Sequence, residues 1–175
     1  MPKLYPYVGP AHLATFANAG SPRARVVNAA DTAAWVAKQP GLVSGGALTV
    51  TFVVLSDGLW VADRHSEHVV AARGAAVYSA REITFLLNRR RSSVEVVYVT
   101  NQSTGYCPEP KSWVSVAAAL DAAGVAHAGG FSAACVCRRC PKCASTNIVK
   151  DEWFECAVCG AELPCEWNYG GGAAT

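Results

Sequence analysis

Charge is scarce in this chain. Only 16% of its 175 residues are Asp, Glu, Lys or Arg, and 15 basic against 13 acidic side chains leave a net charge of +2. No strong global field therefore draws the protein to nucleic acid or to an anionic membrane, and any basic surface has to be local. Apolar runs of membrane-spanning length are missing as well, so no membrane partner is expected. The opening stretch MPKLYPYVGPAHLATFANAG lacks a charged lead-in, an unbroken apolar block and a small-residue cleavage site, which argues against a secretory signal and for a cytoplasmic location. The phosphate-cradling G-x-x-x-x-G-K, the dinucleotide G-x-G-x-x-G and the hydrolase G-x-S-x-G do not occur, which leaves nucleotide-triphosphate and triad chemistry without support. Asp63, Glu67, Glu82 and Glu95 supply carboxylates at no spacing that marks a glycosidase pair.

Cysteine is nearly missing from the first 133 residues, where Cys107 stands alone, yet the other seven of the eight fall between Cys135 and Cys165. This contrast divides the chain into an α/β domain over 1–133, a cysteine-rich module over 134–168 and a flexible, glycine-rich tail over 169–175. Hydrophobic residues make up 51% of the sequence, enough material for a core.

Within the first part, Arg23 to Asn28 reads as extended and Asp31 as the N-cap of a short helix through Lys38. Ala47 to Leu55, rich in β-branched residues, a Ser56-Asp57-Gly58 turn and Leu59 to Asp63 form a β-hairpin. Ser66 can cap a short helix that Gly74 ends, and Ala75 to Leu87 suits either helix or strand. Arg89-Arg90-Arg91 reads as a solvated basic turn with phosphate contact as the alternative, and Val94 to Thr100 as a buried strand. Trp113, Val116, Ala117 and Leu120 recur at helical spacing before a stop at Gly124. The expectation is an α/β (α+β) domain with a β-hairpin and a mixed sheet.

Cys140-Pro-Lys-Cys143 and Cys156-Ala-Val-Cys159-Gly160 are two CxxC pairs twelve residues apart. A two-residue gap lets a tight turn aim two thiolates at one ion, and two such turns close a tetrahedral sulfur shell suited to zinc or iron. Gly160 suits a turn that needs positive φ, and Asn147 to Lys150 with Trp153 to Glu155 can pair as a hairpin between the turns. Over Arg138 to Pro164 the chain resembles the zinc-ribbon, rubredoxin-like class. That resemblance implies one structural Zn²⁺ held by Cys140, Cys143, Cys156 and Cys159, and a module that docks protein or nucleic acid. Cys135, Cys137 and Cys165 are left as spare thiols. Trp153 and Phe154 are expected to pack the ribbon's core, with Arg138, Arg139, Lys142 and Lys150 solvating it. The alternative is a nucleic-acid surface in which Trp153, Phe154 and Trp167 stack. No motif fixes the oligomeric state.

His65-Ser66-Glu67, at the hand-over from strand to helix, and Cys107, at the next such hand-over, together resemble the zinc-dependent deaminase superfamily. The resemblance implies a second Zn²⁺ held by His65 and Cys107, with Glu67 moving protons in a hydrolase acting on a nucleobase or nucleic acid. The second cysteine of the family's PCxxC pattern is Pro110 here, so a third ligand would have to come from His68, Cys135 or Cys137. Read without the resemblance, His65 and Glu67 are surface polar residues and Cys107 is a small buried hydrophobe.

Overall fold

The computed structural model describes residues 1–18 and 20–170. A short helix α1 (Ala11–Ala14) precedes β1 (Arg23–Arg25), α2 (Ala29–Val36), the hairpin β2 (Ala47–Leu55) and β3 (Gly58–Ala62), and α3 (His68–Ala71). A second hairpin, β4 (Ser79–Asn88) and β5 (Ser93–Val99), is followed by a 3-10 turn (Pro110–Ser112) that runs into α4 (Trp113–Ala122). The ribbon contributes β6 (Val136–Arg139) and β7 (Thr146–Val149). The fold is thus α+β, a five-stranded sheet in the order β1-β3-β2-β4-β5 beside a two-stranded β6-β7 sheet.

All five strands of the large sheet pair antiparallel. Among the described residues parallel pairing is confined to single bridges from Glu95 to Ala126 and from Thr100 to Ala133, where the chain returns along β5 after α4. The ambiguous stretch before Leu87 becomes strand because alternation from Ile83 through Phe85 to Leu87 buries one face, a period-two pattern that a helix cannot bury.

The alternation of β2 decides how the sheet is covered. Leu48, Val50, Phe52 and Val54 face Ala33 and Val36 of α2 and Val116 and Leu120 of α4 in the main core. Val53 points the other way, with Ala62 and Ala80, into a second core closed by Ala71 and Ala72 at the end of α3, Val77, Tyr5 and Tyr106. Burying a side chain of this size removes about 1.5–3 kcal/mol worth of apolar contact with water, so both faces contribute. Tyr5 is tied into this layer by a two-way backbone exchange with Val77, at 2.7 and 2.9 Å.

Local signals placed most elements and misplaced two caps: α3 is capped at Glu67 rather than Ser66. Helix α2 starts at Asn28, whose side chain accepts from the Asp31 amide at 2.8 Å while its own amide donates to the Asp31 carboxylate at 2.7 Å. Asp31 therefore occupies the third helical position of a reciprocal cap. The stop of α4 falls at Gly124, with φ 63°. Arg89, Arg90 and Arg91 form the exposed turn between β4 and β5. Among the described residues no helix is long and apolar enough to cross a membrane.

The ribbon does not hang free. Its strand β6 pairs with β7 over Val136 to Arg139 and Thr146 to Val149, so the hairpin expected between the two CxxC turns is instead built across the first of them. The Lys150 to Trp153 turn keeps a single bridge. Of the expected tail, residues 171–175 lie outside the described part. Tyr169 is buried against Cys107 and Cys137.

Candidate metal centre

The four sulfurs of Cys140, Cys143, Cys156 and Cys159 lie within 4.8 Å of one another, the one such cluster of metal-ligating side chains among the described residues. Two of the contacts, Cys140 to Cys159 and Cys143 to Cys156, are 3.6 Å. A tetrahedral shell with metal–sulfur bonds of about 2.3 Å sets its sulfurs roughly 3.8 Å apart, while a disulfide would hold them at about 2.05 Å. The spacing fits ligands around an ion.

The two turns are built alike. In the first, the Ala144 amide donates to the Cys140 carbonyl at 3.0 Å and the Cys140 amide donates to the Ser145 carbonyl at 2.9 Å. In the second, Gly160 donates to the Cys156 carbonyl at 2.9 Å and Cys156 donates to the Ala161 carbonyl at 2.8 Å. Each turn is closed by a left-handed residue, Ala144 at φ 59° and Gly160 at φ 68°. The glycine read from the sequence is thus matched by an alanine that pays about 1–2 kcal/mol for the same conformation.

Polar groups surround the sulfurs. The Ser145 hydroxyl lies 3.1 Å from the Cys143 sulfur and 3.3 Å from that of Cys156. The Asn147 side-chain amide donates to Cys156 at 3.5 Å, and the Cys143 amide donates to Cys140 at 3.5 Å. Asn147 also accepts from the Ala157 amide at 3.0 Å, joining the two turns. The Ser145 hydrogen bond is the main reason that the Cys156 thiol is drawn down to about 5, and it lowers Cys143 too. Cys159 moves the other way: the Ala161 amide favours its thiolate, yet burial and the neighbouring sulfurs push it up to about 12. Four thiolates this close cannot all ionise unless a cation offsets their repulsion. The donor set fits a soft divalent metal ion.

The ribbon is braced on loops of the α+β domain by groups that carried no motif. Arg138, 4% exposed, donates to the carbonyls of Cys137 at 2.7 Å, Pro164 at 3.1 Å and Cys165 at 2.6 Å, and to the Glu109 carboxylate at 3.2 Å. Its expected role in solvating the ribbon is therefore corrected: its fork is consumed internally. Asn101 accepts from the Cys135 amide at 2.7 Å and donates to the Pro108 and Cys135 carbonyls at 2.7 and 2.8 Å. Trp167 donates to the Cys107 carbonyl at 2.8 Å and packs edge-on to Tyr5, with Lys3 over its ring at 3.7 Å. Asn168 exchanges hydrogen bonds with the Arg139 backbone at 2.9 and 2.6 Å. Apart from the Cys137 and Pro108 carbonyls, these partners lie 26 or more positions away, and residue type alone carries no signal for them.

Phe154 packs in the ribbon core with Leu163, as read from the sequence. Trp153 does not: it is 69% exposed, and Val158 in the second turn is 72% exposed. Strand-like alternation explains the split, because Phe154 and Leu163 face inward and put Trp153 and Glu155 on the other side. Of the three aromatic residues weighed as a stacking surface, only Trp153 is open to a partner.

His65, Glu67 and Cys107 are not brought together as a metal site. His65 is a surface residue whose Nδ1 lies 3.2 Å from Asp63 Oδ1, and its side chain is 90% exposed. Glu67 is the exposed N-cap of α3 and makes no side-chain cap bond. Cys107 is fully buried with Cys137 and Tyr169. Of the substitute ligands only Cys137 meets Cys107, and none meets His65. His68 Nδ1 is 3.0 Å from the Ser103 hydroxyl, and burial draws this histidine down to about 4, while Cys135 and Cys137 belong to the junction with the ribbon. Two strands, β4 and β5, separate the two motif segments. Comparison with protein-family models, with curated proteins and with solved structures finds no match for this chain.

Proposed function

We propose that the four-cysteine centre holds Zn²⁺ as a structural ion, and that the ribbon organised by it is a protein-docking module carried on an α+β recognition domain. Zn²⁺ would supply a cross-link between two turns whose own apolar core is too small to hold them. Cys140, Cys143, Cys156 and Cys159 are the ligands, with Ser145 and Asn147 orienting two of them. The observation that carries docking is the exposure of Trp153, since a large aromatic held outward on a rigid module is the kind of side chain that anchors interfaces. Protein is favoured over nucleic acid because Arg138 is spent internally and Trp153 is flanked by Asp151, Glu152 and Glu155, carboxylates that would repel phosphate.

The test has two parts. Elemental analysis of the full chain should find one zinc per protein, and iron in its place would refute the choice of metal. Trp153→Ala, with zinc content unchanged, should deplete specific proteins from those retained out of the host extract, read by quantitative mass spectrometry. An identical retained set would refute docking through this face.

A further inference from the structure

The outer face of the ribbon has a charge pattern that selects among protein partners. Glu155 and Glu162 are directly cross-strand from one another in an antiparallel bridge. Like charges in that position destabilise a sheet unless a cation joins them, yet neither is in an ion pair among the described residues, and both are exposed. Trp153 lies two residues before Glu155, on the same side of the extended segment. Asp151 and Glu152, also exposed, sit beside it in the turn. Between Lys150 and Glu162 the segment holds four carboxylates against one ammonium.

A groove of about 280 Å³ opens on this face, lined by Ile148, Trp153 and Ala157 as its apolar part and by Glu155, Lys150 and Cys156 as its polar part. The groove therefore borders the four-cysteine centre, although Cys156 itself is only 2% exposed. Four thiolates around a divalent ion leave about two negative charges, which adds to the carboxylates. An aromatic face and unpaired carboxylates are the acceptors that suit a guanidinium, which can stack on the indole while its N–H groups donate to oxygen.

We infer that the groove between Trp153 and Cys156 receives a cationic segment of a partner protein, with an arginine seated on Trp153 and an apolar neighbour against Ile148 and Ala157. This deepens the docking reading and rests on it. Steering by the carboxylates makes the contact depend on ionic strength, because its charges sit at the surface.

The experiment selects from a library of short randomised peptides with the full-length, zinc-loaded chain. Recovered sequences should be enriched in Arg or Lys next to an apolar residue. Their affinity should fall about tenfold or more with Trp153→Ala, fall with Glu155→Gln combined with Glu162→Gln, and weaken as salt is raised. Zinc content and the near-ultraviolet circular dichroism of each variant, matching the parent, separate loss of the surface from loss of the fold. Peptides that depend on Trp153 but are neutral or acidic would overturn the cationic assignment and leave docking standing. Failure to recover any peptide that depends on Trp153, or binding of a synthetic single-stranded RNA through Trp153, would overturn both.

Discussion

Replacing Arg138 by Met should do more damage than replacing any other charged side chain in the ribbon. The guanidinium is buried and feeds three carbonyls and one carboxylate. Methionine keeps much of the volume, so the loss is that of the donors. The Cys137, Pro164 and Cys165 carbonyls lose a partner, and a buried acceptor left unpaired costs about 1–3 kcal/mol. Glu109, whose side chain is 13% exposed, is left with Lys111 alone at 2.9 Å. Breaking one side of a buried pair costs about 3–5 kcal/mol, and because the penalties share one geometry they do not add. The expected loss is therefore about 3–5 kcal/mol, read as a fall in the urea midpoint of the zinc-loaded protein. Trp167 fluorescence should report it, since that indole is fixed to the Cys107 carbonyl beside the same junction. The pH dependence supplies an independent check. Burial alone would raise the Glu109 carboxyl, but the Lys111 hydrogen bond and the charges of Lys111, Arg138 and Lys3 hold it below its ordinary value. A depressed carboxyl stabilises the fold above its unfolded pKa and loses that contribution as pH falls through the folded one. The parent should thus lose stability on acidification, and Arg138→Met should flatten that slope. A loss below about 1 kcal/mol, with the slope unchanged, would refute the bracing role.

Cys156→Ser should abolish stoichiometric zinc and raise amide exchange across residues 140–163 while sparing β2 to β5, as checked by elemental analysis and hydrogen exchange; a fully loaded, protected variant would contradict the ligand assignment. Ala144→Gly should stabilise the ribbon by about 0.5–1 kcal/mol by relieving the left-handed backbone, whereas Gly160→Ala should destabilise it by about 1 kcal/mol, both read from unfolding midpoints at fixed free zinc. Glu67→Gln and His65→Ala should leave zinc per chain unchanged and shift stability by no more than about 0.5 kcal/mol. A drop in zinc content with either would revive a second metal site.

Features that depend on neighbours along the chain were legible from residue order. The two CxxC turns, the positive φ at Gly160, the β2–β3 hairpin and the helix that ends at Gly124 all depend on residues within a few positions of one another. Their physical cause is short-ranged: turn sterics, capping and alternation act before any distant partner is chosen. Even here competition between equally local groups misled. Asn28 and Asp31 can both cap a helix, and reciprocal bonding lets Asn28 take the cap while Asp31 donates its amide from inside.

The environment of Arg138, Trp153 and Cys107 was decided only by the tertiary structure. An arginine beside a CxxC turn is an ordinary solvated charge until Pro164, Cys165 and Glu109 surround it with acceptors. Two adjacent aromatic residues look alike until pairing of Glu155 with Glu162 and packing of Phe154 on Leu163 turn one inward and leave Trp153 outside. His65 and Cys107 hold positions that resemble a catalytic pair, but the β4–β5 hairpin between them and the docking of Tyr169 on Cys107 leave one at the surface and the other in a core. Sequence spacing specifies which atoms a short turn can aim at one point. Which distant segments meet depends on how both faces of the sheet are covered, and that is set by burial summed over the whole chain.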